Sequence, residues 1–162
     1  MGKLIFLKII TLFVLSYKEI HQFPFDSVKF EKIIFNSTEC YGRCPVMTLE
    51  ITNDEKYRFI GGKYSARKGY YYGGIGNGMY NQLLEKLRYA QLDLIECNSN
   101  KNIDLSTFTL EVHYNKRIRY FKSCMLPFVL DELKDFLLAL PSRVNLIESQ
   151  EKFEIGYTTP KK

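Results

Sequence analysis

Residues 46–60 read VMTLEITNDEKYRFI, and this stretch decides the fold class. From residue 46 to residue 52, Met47, Leu49 and Ile51 point to one side and alternate with a valine and three polar side chains, which is the period-two pattern of a strand with one buried face. Residues 53–56 then supply polar, turn-forming side chains, and residues 57–60 resume an apolar strand. The stretch therefore predicts an antiparallel hairpin.

Other segments extend this hairpin into a sheet with two helices. Strand patterns occur within residues 28–38, 70–72, 108–114 and 117–122, and helical spacing of apolar residues occurs within residues 79–91 and 126–140. We expect Asn77 to cap the first helix and Pro141 to end the second. The predicted fold is α+β, an antiparallel β-sheet of hairpins with two helices, in the order β-β-β-β-α-β-β-α.

The composition favours one compact domain between two terminal segments. Hydrophobic residues make up 46% of the 162, enough for one core without a disulfide framework or a structural metal. We predict a single α+β domain over residues 28–141, a hydrophobic leader or signal peptide over residues 1–22, and a C-terminal tail over residues 142–162. The 23 basic and 18 acidic side chains permit weak attraction to anions without indicating nucleic-acid binding.

The start of the chain resembles a bacterial secretory signal peptide. Lys3 precedes a mostly apolar run over residues 4–15, which Lys8 interrupts. The run is too short to cross a bilayer unaided, so no stable membrane span is expected. We expect a secreted or periplasmic protein; if the leader is instead a buried first element, the protein is cytoplasmic.

A second informative stretch is CYGRCP at residues 40–45. Cysteines four positions apart can close a small ring, and Gly42 permits the bend that the ring requires. The same spacing suits two thiolates on Cu(I) or a reversible dithiol. It resembles the copper-chaperone branch of the thioredoxin superfamily, but there the pair opens a helix. Here a strand follows, which favours a structural disulfide between Cys40 and Cys44, or inert thiols. Cys97 and Cys124 complete a set of four cysteines that allows three pairings.

Read with its flanks, the motif resembles an uncharacterised bacterial domain family, a domain of unknown function whose members are often exported. Members carry Cys-Tyr-Gly-x-Cys-Pro after the first strand and a Gly-Tyr segment before the helix, which correspond here to residues 40–45 and 61–72. The resemblance covers residues 29–140. Met47 stands where members usually have Tyr, and residues 104–107 read Asp-Leu-Ser-Thr in place of an Asp-x-Pro-Thr turn. The resemblance implies the hairpin plan and export, and it supplies no catalytic residue.

Basic side chains form a further candidate site. Arg117 and Arg119 alternate on one face of a strand, and Lys63, Arg67 and Lys68 precede three consecutive tyrosines. Basic residues interleaved with aromatics can bind polyanions or single-stranded nucleic acid by charge and stacking. No nucleic-acid motif accompanies them, so a solvated sheet face is the favoured interpretation.

The sequence indicates no catalytic residues, no metal site and no cofactor. His113 lies on a polar strand face with Thr109 and Glu111, and we expect it to be an ordinary surface histidine. The leading hypothesis is an exported, non-enzymatic accessory or binding domain with a protein or cell-envelope partner. Two alternatives stay open: a thiol redox or Cu(I)-binding protein that uses Cys40 and Cys44, and polyanion or nucleic-acid binding through the basic and aromatic residues.

Overall fold

A seven-stranded antiparallel sheet forms the centre of the molecule. The computed structural model describes residues 29–95, 105–123 and 126–157. The leader, Cys97 and Cys124, about which the sequence makes predictions, lie outside these residues. The strands are β1 (Phe30–Ser37), β2 (Met47–Thr52), β3 (Lys56–Gly61), β4 (Gly69–Gly74), β5 (Phe108–Tyr114), β6 (Arg117–Ser123) and β7 (Leu146–Glu148). Their order across the sheet is β6-β5-β1-β2-β3-β4-β7, and all paired neighbours are antiparallel.

Two helices cover one face of this sheet. They are α1 (Asn77–Ala90) and α2 (Phe128–Arg143), and a short 3-10 turn at Leu92–Leu94 follows α1. Both helices bury leucines in the same core as the strands. This arrangement confirms the predicted α+β fold class. Among the described residues, no helix combines the length and the apolar character needed to cross a membrane.

The core lies between the helices and every second side chain of the central strands. Leu110, Phe35, Leu49 and Phe59 are neighbours in one row across β5, β1, β2 and β3. All four are buried, as are the leucines of α1 and α2 that face them. Burial of one such side chain contributes about 1.5–3 kcal/mol to the free energy of unfolding. The alternation seen in residues 46–52 therefore places the hydrophobic side of the hairpin under the helices.

The ends of both helices differ from the sequence-based expectation. Gly76 occupies the N-cap position of α1, and Asn77 is its first helical residue. Pro141 lies inside α2, which ends at Arg143. A proline inside a helix removes the hydrogen bond that its own N–H would donate and crowds the carbonyl of residue i−4, yet α2 continues for two residues beyond Pro141.

The segment predicted as a tail contains the strand β7. Its three residues pair with β4, with Ile147 opposite Tyr72. A strand this short has too few positions for a period-two pattern to stand out in the sequence. β7 therefore becomes apparent only from its pairing.

Candidate binding loop

The feature of the structure with the clearest potential for recognition is the connection between β1 and β2. Ser37 and Met47 form the last residue pair of this hairpin, so residues 38–46 make a loop beyond the sheet. The backbone turns away after Ser37, whose hydroxyl donates a hydrogen bond of 2.5 Å to the carbonyl of Pro45. We call residues 38–46 the β1–β2 loop.

The first half of the β1–β2 loop is hydrogen-bonded to the segment that leads into β5. The Thr38 N–H donates to the Thr107 carbonyl at 3.1 Å, and the Thr107 N–H donates to the Thr38 hydroxyl at 2.9 Å. The Ser106 hydroxyl donates to the Thr38 carbonyl at 2.7 Å. These bonds hold the start of the loop against a second element.

The second half is held by the connection that follows β3. The Val46 N–H donates to the Lys63 carbonyl, and the Gly62 N–H donates to the Val46 carbonyl, both at 2.8 Å. Gly62 is closely approached here, because a Cβ on it would lie 3.2 Å from the Val46 carbonyl oxygen. Both ends of the loop are thus fixed by backbone hydrogen bonds.

Between these fixed ends the two cysteines come together. The Cys40 and Cys44 sulfur atoms lie 1.99 Å apart, at disulfide distance, and their Cα atoms are 5.7 Å apart, within the range of natural bridges. The Gly42 N–H points to Cys40 Sγ at 3.2 Å. Both cysteines are half-buried, so the ring that they close sits partly in solvent.

Tyr41 stands at the outer end of this ring. Its side chain is 95% exposed, the largest value among the exposed large hydrophobic side chains of the described residues. Gly42 and Arg43 beside it are also exposed. The ring therefore presents an aromatic side chain and a guanidinium group on a short, cross-linked piece of backbone.

The predicted basic site is divided between two distant parts of the sheet. Lys63, Arg67 and Lys68 lie in the connection between β3 and β4, whereas Arg117 and Arg119 lie on β6 at the opposite edge. Five strand spacings separate β4 from β6, which is roughly 24 Å. The five residues therefore do not form one continuous surface.

Several of these basic groups contact neighbouring side chains or carbonyls. The Arg67 guanidinium lies 5.8 Å from the Tyr71 ring centroid and 3.5 Å from the Leu146 carbonyl, and the Lys63 ammonium lies 5.2 Å from the Tyr64 ring. Arg119 donates to the Ile95 carbonyl at 2.6 Å. Lys63, Lys68 and Arg117 are the exposed members of the set.

A comparison with protein families decides the affiliation of the chain. The family described as Domain of unknown function (DUF6438) matches residues 31–140. The chain belongs to this family. The match confirms the predicted resemblance to a domain of unknown function, and no curated protein matches the chain.

The matched residues of the DUF6438 domain include the β1–β2 loop, all of α1 and α2 as far as residue 140, and they end before β7. Among the described residues, no group of three or more His, Cys, Asp or Glu side chains is arranged to hold a metal ion. The described part of the domain does contain a groove between α1 and α2, lined by Gln82, Glu85, Lys86, Tyr89, Val129 and Glu132.

The face of the sheet opposite the helices carries a row of side chains that are polar except for one isoleucine. Arg58, Glu50, Ile34, Glu111 and Tyr120 are successive neighbours across β3, β2, β1, β5 and β6. Glu50 is buried, accepts a hydrogen bond from Arg58 Nε at 2.9 Å and forms an ion pair with Arg58 Nη2 at 2.7 Å. Glu111 is fully buried. This face is therefore not a fully solvated surface.

His113 differs from the expected surface histidine. Its side chain is only 12% exposed, and its Nε2 lies 2.5 Å from Glu111 Oε1. The strand pattern correctly placed both residues on the polar face, but period-two alternation does not reveal whether another segment covers that face.

Part of the cover comes from residues 149–157, which follow β7 and which we call the C-terminal strap. Phe153 packs edge-on against Tyr70, with 5.4 Å between ring centroids, and lies 5.5 Å from the Arg58 guanidinium. Tyr157 packs against Tyr120 at 6.0 Å, and burial is the main cause of its raised pKa. The strap thus runs from the β4 side of the sheet to the β6 side.

Sequence reasoning identified the two cysteines but did not single out Tyr41. The available signal was an aromatic residue enclosed by two cysteines within a polar stretch, where no strand or helix pattern would bury it. The strap was missed as well. Its apolar side chains alternate with other residues, at Phe153, Ile155 and Tyr157, but the sequence contains no turn pattern that would connect this segment to a strand of the sheet.

Proposed function

We propose that this domain is an exported binding domain that presents the ring formed by residues 40–44 to a protein partner. The observation that carries the proposal is the 95% exposure of Tyr41 at the end of a loop fixed on both sides. An isolated aromatic side chain gains little from contact with water, but it can fill a pocket on another protein. Tyr and Arg are the residue types that most often dominate binding energies at interfaces.

The cross-link and the backbone hydrogen bonds support this proposal through the cost of binding. A mobile loop must lose conformational freedom when it docks, at about 0.5–1.5 kcal/mol for each side chain that becomes immobilised. Residues 40–44 have little backbone freedom to lose while the ring is closed. A partner could therefore use most of the contact energy of Tyr41 and Arg43 for affinity.

Export is the setting in which this loop would persist. Disulfides form and persist in oxidising compartments and are rare in reducing ones. The disulfide distance between Cys40 and Cys44, together with the leader-like residues 1–16, supports a secreted or periplasmic location. Expression with the native leader in a bacterial host, followed by intact-mass measurement with and without reductant before alkylation, tests this. A processed, exported chain with Cys40 and Cys44 bridged is expected, and an intracellular chain with four free thiols would contradict export.

Site-specific photocrosslinking tests the binding role. We expect benzoylphenylalanine at position 41 to form a defined adduct with one protein in cells that naturally make this chain. Position 89 is the matched control, because Tyr89 is 70% exposed on the C-terminal half of α1, away from the loop. The adduct should disappear when Cys40 and Cys44 are both changed to Ser. Equal adducts at positions 41 and 89, or none at either, would overturn the proposal.

A thiol redox or Cu(I)-binding role is the second candidate, because both cysteines are only half-buried and the Gly42 N–H points at Cys40 Sγ. A hydrogen bond to sulfur favours the thiolate, which is the form that attacks disulfides and binds soft metals. The reduction potential separates the two functions. A value below about −300 mV indicates a structural bridge, and a clearly higher value indicates exchange. Tight Cu(I) binding by the reduced chain would support the metal-binding form.

A further inference from the structure

We infer that the outer edge of β6 is a docking site for an extended acidic segment of another protein, which adds to the sheet as an eighth strand. β6 is the first strand in the order across the sheet, and among the described residues no strand pairs with its outer side. It is seven residues long, whereas the strand at the opposite edge, β7, has three. This site is separate from the β1–β2 loop, so the inference does not rest on the proposed function.

The turn before β6 determines which backbone groups face outward. Asn115 and Lys116 have positive φ angles of 49° and 59°, as a two-residue type I′ hairpin requires. In such a turn the flanking residues, Tyr114 and Arg117, form a hydrogen-bonded pair. Hydrogen-bonded and non-bonded pairs then alternate along an antiparallel ladder. The N–H and C=O groups of Ile118, Tyr120 and Lys122 therefore point away from β5, toward the outer edge, where the described part of the chain places no strand.

The side chains of the same residues add contact area. Ile118 is 46% exposed and Tyr120 is 42% exposed, and both lie on the face that carries the strap. An incoming strand would place every second side chain beside them, on the same face of the sheet. The edge thus offers backbone hydrogen bonds together with partly apolar neighbours.

Charge determines the kind of partner. Residues 115–123 contain four cationic side chains, Lys116, Arg117, Arg119 and Lys122, and no acidic one. The Arg117 guanidinium forms an ion pair with the exposed Asp93 carboxylate, 3.8 Å away. Two copies of this edge would bring like charges together, which opposes pairing between copies. An acidic strand would instead bring negative charges beside these cationic side chains and be attracted to them. Strand addition to an exposed edge is an established way to bind extended peptides.

The test uses the full chain and the fluorescently labelled peptide Glu-Val-Glu-Ile-Glu-Val-Glu, which matches β6 in length. We expect saturable binding by fluorescence anisotropy, and no binding of the same peptide with proline in place of its central residue. Amide hydrogen exchange should slow at Ile118, Tyr120 and Lys122 when the peptide binds. The Arg119 and Phe121 amides, which point inward, should not change.

Charge-reversal variants separate docking from general attraction. Changing Arg117 and Lys122 to Glu together should raise the Kd at least about tenfold. The matched pair Lys63→Glu and Lys68→Glu makes the same change in net charge at the other side of the sheet and should alter the Kd less than about twofold. Equal weakening by both pairs, an absence of exchange protection at the three outward amides, or dimers joined through β6 in the free protein would each overturn the inference.

Discussion

Two buried tyrosines in the core differ in what their hydroxyl groups contact. The Tyr57 hydroxyl has no hydrogen-bond partner in the described structure, and burial raises its pKa well above the usual value. The Tyr114 hydroxyl donates to Asp93 Oδ1 at 2.6 Å, and burial together with this carboxylate raises its pKa to about 12. A buried hydroxyl without a partner costs free energy, whereas a satisfied one stabilises the fold.

We therefore expect Tyr57→Phe and Tyr114→Phe to act in opposite directions. Tyr57→Phe should leave the free energy of unfolding unchanged or raise it by up to about 1 kcal/mol, because it removes an unsatisfied group. Tyr114→Phe should lower it by about 1 kcal/mol, because Asp93 loses its donor. Urea unfolding of the two variants measures both values. A loss above about 1 kcal/mol for Tyr57→Phe would show that its hydroxyl is bonded in solution.

At this scale the sequence predicts side-chain type and face better than environment. It placed Glu111 and His113 together on the polar face of β5, as the structure does. It did not indicate that Glu111 is fully buried, because that depends on segments far away in the chain. Tyr41 shows the converse: it is exposed because the ring of residues 40–44 stands beyond the sheet, which composition alone does not reveal.

Among the elements, the connection between β3 and β4 requires a glycine at the end of β3. Gly61 ends β3 opposite Gly69, and a Cβ on Gly61 would lie 1.8 Å from the Arg67 carbonyl oxygen. No real contact is that short, so a side chain here would force the connection between the strands to move. Gly78 in the first turn of α1 is different, since a Cβ there would meet nothing within 4 Å.

Alanine at these two glycines should therefore have opposite effects. We expect Gly61→Ala to lower the free energy of unfolding by about 2–3 kcal/mol through displaced backbone. Gly78→Ala should raise it by about 0.5 kcal/mol, because alanine favours the helix more than glycine does. Guanidinium unfolding monitored by circular dichroism gives both numbers. Equal effects of the two changes would contradict the close approach at Gly61.

The hairpins β2–β3 and β5–β6 were predictable because each joins two alternating strands through a short polar turn. β7 was not, since three residues carry little pattern. The extension of α2 past Pro141 was missed because the sequence rule treats an internal proline as the end of a helix, whereas this helix continues to Arg143.

Over the whole molecule, the C-terminal strap links regions that are far apart in the sheet. Phe153 covers Arg58 and Tyr70 on β3 and β4, and Tyr157 contacts Tyr120 on β6. The strap lies beyond the residues matched by the DUF6438 family. The Ser149 N–H donates a hydrogen bond to the Tyr70 carbonyl, which joins the first residue of the strap to β4. Further along the strap, the side chains of Phe153 and Tyr157 make the contacts with the sheet.

The adjacent pair Lys152 and Phe153 tests whether the strap stabilises the fold. Phe153 is half-buried and Lys152 is exposed. Phe153→Ala should lower the free energy of unfolding by about 1–2 kcal/mol, because it loses apolar burial and the contact with Arg58. Lys152→Ala should change it by less than about 0.5 kcal/mol. Chemical unfolding of both variants gives the comparison, and indistinguishable midpoints would mean that the strap does not hold the sheet in solution.

Strand order was the least predictable feature of the whole molecule. Alternation in the sequence states which side chains share a face, but not which strand lies beside which. Hairpins follow from short turns, whereas the pairing of β1 with β5 joins segments separated by three strands and a helix. That pairing depends on how complete hydrophobic faces fit together.

The position of β1 between β5 and β2 has a consequence for how the chain is made. Its two neighbours are synthesised at very different times, since Phe35 pairs with Leu49 and also with Leu110. Chains emerge from the ribosome N-terminus first, so the meander β1 to β4 is complete while one side of β1 still lacks its partner. Distant pairings of this kind slow folding, and an unpaired strand edge promotes aggregation. The arrival of residues 108–114 is thus the step that closes a vulnerable nascent sheet.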